Sequence, residues 1–143
     1  VPMAIDTLVV PISRLATTGC FLSVAFVIHN LVDCVCFSKL WFVLEFFKTR
    51  YNNGLLPNLY FYRDKSQREI DLIYEQGNSL YAYEIKSAKS FTKSFMSNLE
   101  FFRKTVGNDV VSTQLIYDGE NDIPDSENGM LNFRNVKSYQ PQS

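Results

Sequence analysis

Arg68-Glu69-Ile70-Asp71-Leu72-Ile73-Tyr74-Glu75-Gln76-Gly77-Asn78-Ser79-Leu80-Tyr81-Ala82-Tyr83-Glu84-Ile85-Lys86 is the stretch on which the reading of this chain turns. The Gly77-Asn78 step suits a tight two-residue hairpin turn. Folding there pairs Gln76 with Ser79, and counting outward sets Asp71 directly opposite Glu84; a four-residue loop from Gln76 to Ser79 gives the same register. One face then carries Ile70 with Ile85, Leu72 with Tyr83, and Tyr74 with Tyr81. The other carries Glu69 with Lys86, Asp71 with Glu84, and Ile73 with Ala82. A slip by one residue would mix the two sets, so the pattern itself argues for this pairing.

Directly opposed like charges destabilise a sheet. Two facing carboxylates therefore call for a cation between them, and a divalent metal held by oxygen ligands fits that need. The plainer alternative is an ordinary wet hairpin face on which Glu69 and Lys86 form a surface ion pair of little energetic weight.

The bulk composition narrows the remaining classes. A chain of 143 residues reads as one domain, long enough to bury roughly two thirds of its unfolded surface. Hydrophobic residues make up 46% and aromatic ones 15%, which excludes wholesale disorder. The net charge of −1 supplies no global field toward nucleic acid, so any such attraction has to be local. Cys20, Cys34 and Cys36 fit neither a disulfide framework nor a zinc site and are expected as buried thiols in a reducing, cytoplasmic compartment. His29 is the sole histidine, which excludes multi-His metal sites and argues against a Ser-His-Asp triad; a packed or capping role is expected. No glycine-rich phosphate loop is present, so the chain is not expected to bind a nucleotide by itself.

Residues 1–37 form an apolar N-terminal segment of uncertain status. Cys20 to Ile28 is continuously apolar apart from Ser23, but His29, Asn30 and Asp33 interrupt the run before it reaches the roughly 20 residues of a membrane span. No basic n-region or small-residue cleavage site marks a signal peptide. A buried helix or strand is expected there instead of a membrane segment.

From Ser38 the pattern is orderly. Ser38 caps a helix running from Lys39 to Arg50, apolar almost all round and therefore expected to be buried. Glu45 is its one acid, and it either pairs with Lys48 or Thr49 or aims a third carboxylate at the hairpin. Asn52-Asn53-Gly54 ends the helix with a left-handed residue at Gly54. Leu59 to Arg63 reads as a strand, followed by the hairpin strands at about 69–75 and 80–86. Ser90 or Thr92 starts a second helix with Phe91, Phe95, Leu99 and Phe102 on one face, and Lys86, Lys89, Lys93, Arg103 and Lys104 make this region locally basic. Val110 to Tyr117 alternates as a strand, Asp118 to Glu127 reads as a solvated loop, Met130 to Tyr139 suggests an edge strand, and 140–143 form a tail. The order helix, three strands, helix, strand predicts an α/β domain over 38–139 with a mixed sheet.

That order, with Asp71 on the second strand and Glu84-Ile85-Lys86-Ser87 on the third, resembles the PD-(D/E)xK superfamily and its restriction-endonuclease-like core; the proline that often precedes the aspartate is absent. Within it, the chain is similar to a domain of unknown function at the C-terminus of bacterial and archaeal AAA-type ATPases. The matching residues are Leu44-Glu45 with Lys48, Tyr51-Asn52-Asn53-Gly54, Tyr60-Phe61-Tyr62-Arg63-Asp64, Arg68-Glu69-Ile70-Asp71-Leu72-Ile73 and Glu84-Ile85-Lys86-Ser87-Ala88. Upstream the pattern departs: Lys39 stands where a helix-entry glutamate is expected.

The resemblance implies metal-dependent hydrolysis of DNA phosphodiesters by an accessory domain of an ATPase. Asp71, Glu84 and Lys86 would be catalytic, with Asp71 and Glu84 binding Mg²⁺ or Mn²⁺ and Glu45 as an outer ligand. Lys86 would orient or activate the attacking water. Arg63, Arg68, Lys89 and Lys93 would grip phosphates in a salt-dependent, largely sequence-independent way. The alternative is a non-catalytic module that keeps the nuclease fold for DNA binding or protein docking, and the departure at Lys39 favours it.

Overall fold

The structure is a computed structural model that describes residues 8–11, 36–56, 58–120, 122–123 and 128–135. The readings of Cys20, His29, Cys34, the 20–28 apolar run and the 140–143 tail lie outside the described residues.

One mixed sheet of six strands runs in the order β1 (Leu8–Pro11), β2 (Leu59–Arg63), β3 (Glu69–Gln76), β4 (Ser79–Lys86), β5 (Val110–Tyr117) and β6 (Asn128–Asn132). β1 to β4 are antiparallel neighbours, whereas β4, β5 and β6 run parallel. Two helices accompany the sheet, α1 (Cys36–Asn52) and α2 (Ser97–Val106). The chain is therefore α/β with a mixed sheet, and the expected order holds from α1 to β5. β1 adds a strand on the β2 edge, and β6 begins at Asn128, two residues before the expected Met130.

The hairpin at the centre folds as its alternation dictates. Gln76 pairs with Ser79, Tyr74 with Tyr81, Ile73 with Ala82 and Leu72 with Tyr83. Gly77 takes a φ of +61° while Asn78 stays negative, the pattern of a turn that needs glycine at its first central position.

Each face of the sheet has its own core. α1 lays Phe42, Val43 and Phe46 on Leu59, Leu72, Tyr74, Tyr83, Ile85, Ile116 and Leu131. α2 lays Leu99 and Phe102 on Tyr62, Ile70, Ile73, Leu80, Ala82 and Val110. Phe42 and Phe102 are wholly buried, and burying each such ring stabilises the fold by roughly 2–3 kcal/mol. The sheet is thus sandwiched between helices, a three-layer arrangement.

Three expectations need correction. α1 begins at Cys36, so Ser38 lies inside the helix and does not cap it. That helix is also not buried all round: Leu44 is 45% and Tyr51 69% exposed, because the sheet covers one side only. Neither Ser90 nor Thr92 starts the second α-helix. A 3₁₀ turn over Lys93–Met96 intervenes, and the buried apolar face begins at Leu99, leaving Phe91 exposed. Gly54 does end α1 with a φ of +66°, as expected. Among the described residues no helix is long and apolar enough to cross a membrane.

Candidate functional site

The site begins with one extra residue in β3. Tyr60 faces Ile73 and Tyr62 faces Ile70, so two steps on β2 span three on β3, which is a β-bulge. The extra residue resets the alternation. Ile70 joins Tyr62, Ile73, Leu99 and Phe102 on the α2 face, while Ile85 packs with Leu72 and Tyr83 on the α1 face. The expected Ile70–Ile85 face pair is thereby broken.

The β3–β4 ladder ends at Leu72 and Tyr83. Beyond that pair β3 stays with β2 and β4 stays with β5, so the two strands fork. The expected backbone pairing of Asp71 with Glu84 is therefore not made. Instead the Asp71 side chain enters the fork: the Ile85 amide donates to its Oδ2 at 2.8 Å. The Lys39 ammonium from the first turns of α1 stands 2.6 Å from Asp71 Oδ1. Both oxygens of Asp71 are engaged, and its side chain is only 3% exposed.

Glu84 lies two residues from Ala82 on the α2 side of β4 and is 2% exposed. Its Oε1 accepts a hydrogen bond from Lys86 at 2.6 Å, and Asn98 of α2 approaches the same oxygen at 3.5 Å. Oε2 is buried with no hydrogen-bond partner. Burial first, then the nearby Asp71 charge, pushes the Glu84 carboxyl up to about 7, with Lys86 and Lys39 pulling the other way. Burial works against the Lys86 ammonium, but Glu84, followed by Asp71 and Glu69, outweighs it and leaves that pKa raised. Asp71 and Glu84 thus sense each other electrostatically, while Asp71 takes its closest partner from α1 and Glu84 takes its own from within β4.

Glu45 is not brought to this pair. It stands six residues past Lys39, about 240° farther round the helix, and pairs with Lys48 at 3.0 Å. Among the described residues no group of three or more acidic, histidine or cysteine side chains is arranged to hold a metal ion. The donor set for Mg²⁺ or Mn²⁺ therefore fits poorly: Asp71 has both oxygens occupied, and Glu84 Oε2 is the one unpartnered carboxylate oxygen of the two acids.

The four expected phosphate contacts divide in two. Arg63 pairs with Glu69 at 3.1 Å and hydrogen-bonds Gln67. Arg68 sits 3.9 Å from Asp64 and lies 3.8 Å above the Phe101 ring, so each arginine has intramolecular partners while its side chain stays more than a third exposed. Lys89 and Lys93 are exposed. Lys89 borders a cavity of about 520 Å³ beyond the C-terminal ends of β4, β5 and β6, together with Phe91, Asp118, Glu120 and Arg134.

Two members of the site were not assigned a role from the sequence. Asn98 had no signal pointing to it. Lys39 had one: a cation near a helix N-terminus opposes the helix dipole and implies a nearby anion.

The family model for a domain of unknown function, DUF4143, matches residues 41–136. That span runs from α1 past β6 and starts two residues after Lys39. No curated protein and no solved structure matches the chain. The match covers about two thirds of the sequence, so the chain belongs to the DUF4143 family, a domain found at the C-terminus of AAA-ATPase-like proteins.

Proposed function

We propose that this domain is a non-catalytic, DNA-contacting accessory of an AAA-type ATPase, built on a nuclease-superfamily core. The observation that carries this reading is that both oxygens of Asp71 are already engaged, Oδ1 by Lys39 at 2.6 Å and Oδ2 by the Ile85 amide at 2.8 Å. A Mg²⁺ site needs carboxylate oxygens and water in near-octahedral geometry, and here an ammonium already sits on each acid. Contact with DNA falls to Lys89 and Lys93, with the 42%-exposed Phe91 beside them as a stacking surface.

The test combines fluorescence anisotropy on short single- and double-stranded DNA with plasmid cleavage in Mg²⁺ or Mn²⁺. Salt-sensitive binding without nicking is the expected result. Cleavage by the unaltered protein that disappears in Asp71→Asn would overturn the reading. A second reading, metal-dependent hydrolysis with Asp71 and Glu84 holding the ion beside Lys86, is favoured by one atom: Glu84 Oε2, buried and unpartnered.

A further inference from the structure

Asp71 and Glu84 carry two carboxyls, both negative once Glu84 ionises, to the point where β3 and β4 part, and each side chain is only 3% exposed. Like charges at that depth persist only with cations beside them. Lys86 supplies one from the strand that bears Glu84. The other arrives across 32 residues of sequence, from α1. Resting on the non-catalytic reading above, we propose that Lys39 is a tethered counter-ion that denies the Asp71–Glu84 pair to divalent cations.

Three features argue for it. The Lys39 ammonium is 2.6 Å from Asp71 Oδ1, and its side chain is 17% exposed, so it is part of the packed site and not a surface charge that swings freely. It sits near the N-terminus of α1, where the helix dipole disfavours a cation, so the position is held by its anion and not by local preference. Its charge also acts on Glu84, so one ammonium serves both acids. A divalent ion entering the fork would have to displace Lys39 from a buried pair and then stand next to two ammonium groups. With a neutral residue at position 39 the formal charge of the cluster changes from zero to −1. Asp71 Oδ1 and Glu84 Oε2 are then two carboxylate oxygens without a protein partner.

The experiment uses the full chain and Mn²⁺ alone as the probe. Thermal unfolding followed by far-UV circular dichroism and Mn²⁺ binding followed by electron paramagnetic resonance are compared in the unaltered protein, Lys39→Met, Lys39→Arg, and Lys39→Met combined with Asp71→Asn. Lys39→Met is expected to gain a Mn²⁺-dependent rise in Tm of at least about 4 °C at millimolar metal, since a ligand of the native state raises apparent stability. The unaltered protein, Lys39→Arg and the double variant are expected to show none.

If Lys39→Met unfolds without metal, recovery of its helical signal on adding Mn²⁺ supports the inference, and failure to recover overturns it. Equal responses of Lys39→Met and the unaltered protein, whether both shift or neither does, overturn it too. Mn²⁺ binding by the unaltered protein without DNA cleavage would sink this inference and leave the non-catalytic reading standing; binding with cleavage would remove both.

Discussion

The Ile85 amide donates to Asp71 Oδ2 at the point where β3 and β4 part, so a carboxylate replaces the backbone acceptor that a continuous ladder would have provided. The other Asp71 oxygen carries Lys39. One side chain therefore ties both the fork and the α1 layer to β3.

Asp71→Ala is expected to destabilise the fold by about 3–5 kcal/mol, because it strands a partly buried ammonium and removes a buried acceptor. Asp71→Asn keeps an oxygen for the Ile85 amide and should lose roughly 1–2 kcal/mol less. Urea unfolding at neutral pH measures both; equal losses would mean that the Ile85 bond contributes nothing.

Glu84 gives stability a pH dependence of definite sign. Its folded pKa of about 7 lies above the ordinary 4.5, so the folded chain holds this proton more tightly than the unfolded one. That contribution is complete below about pH 4.5 and is lost as pH rises through about 7. It amounts to at most on the order of 3 kcal/mol. In Glu84→Gln the corresponding slope should be missing. The difference in Tm between the two proteins, followed from pH 4.5 to 8, checks this; parallel profiles would contradict it.

Gly77 occupies a left-handed conformation at φ +61° with open space around its missing Cβ. Gly77→Ala should therefore be opposed by backbone strain alone and lose about 1 kcal/mol. Placing alanine at Asn78, whose φ is not positive, should lose less. Thermal melts of the two variants separate the effects.

Lys89 and Lys93 are expected to make the phosphate contacts, and Arg63 and Arg68 are not. Lys89→Ala and Lys93→Ala should each weaken DNA binding and reduce the slope of log K against log salt by about 1. Arg63→Ala should leave that slope unchanged, since its guanidinium is committed to Glu69 and Gln67. Anisotropy titrations at several salt concentrations decide between these residues.

The hairpin was legible because Leu72 to Gln76 and Ser79 to Tyr83 alternate cleanly around a turn-forming dipeptide, and the observed register follows them residue by residue. The bulge was not. Ile70, Leu72 and Ile73 are all buried, so the hydrophobic pattern around Asp71 carries no alternation from which an extra residue could be read. The start of α1 was hidden in the same way by an unbroken apolar run through Val35 and Phe37. Glu84 and Lys86 could be named from their spacing, whereas the partnership of Lys39 with Asp71 spans 32 residues and depends on how a helix docks. The partners of Arg63 and Arg68 were not legible either, because charge in a sequence says nothing about whether a nearby acid or ring will meet it.

The mixed direction of the sheet also bears on how the domain assembles. β3 and β4 are joined by a two-residue turn and close over a short loop, whereas β5 reaches β4 only after the chain has crossed over through α2. Short loops close at a smaller entropic cost than long crossovers, so local pairings form first. The hairpin is expected to form early and the cleft holding Asp71 and Glu84 to mature only as β5 docks. Folding rates of Tyr74→Ala and Leu115→Ala would reveal this order, the first slowing folding and the second chiefly hastening unfolding.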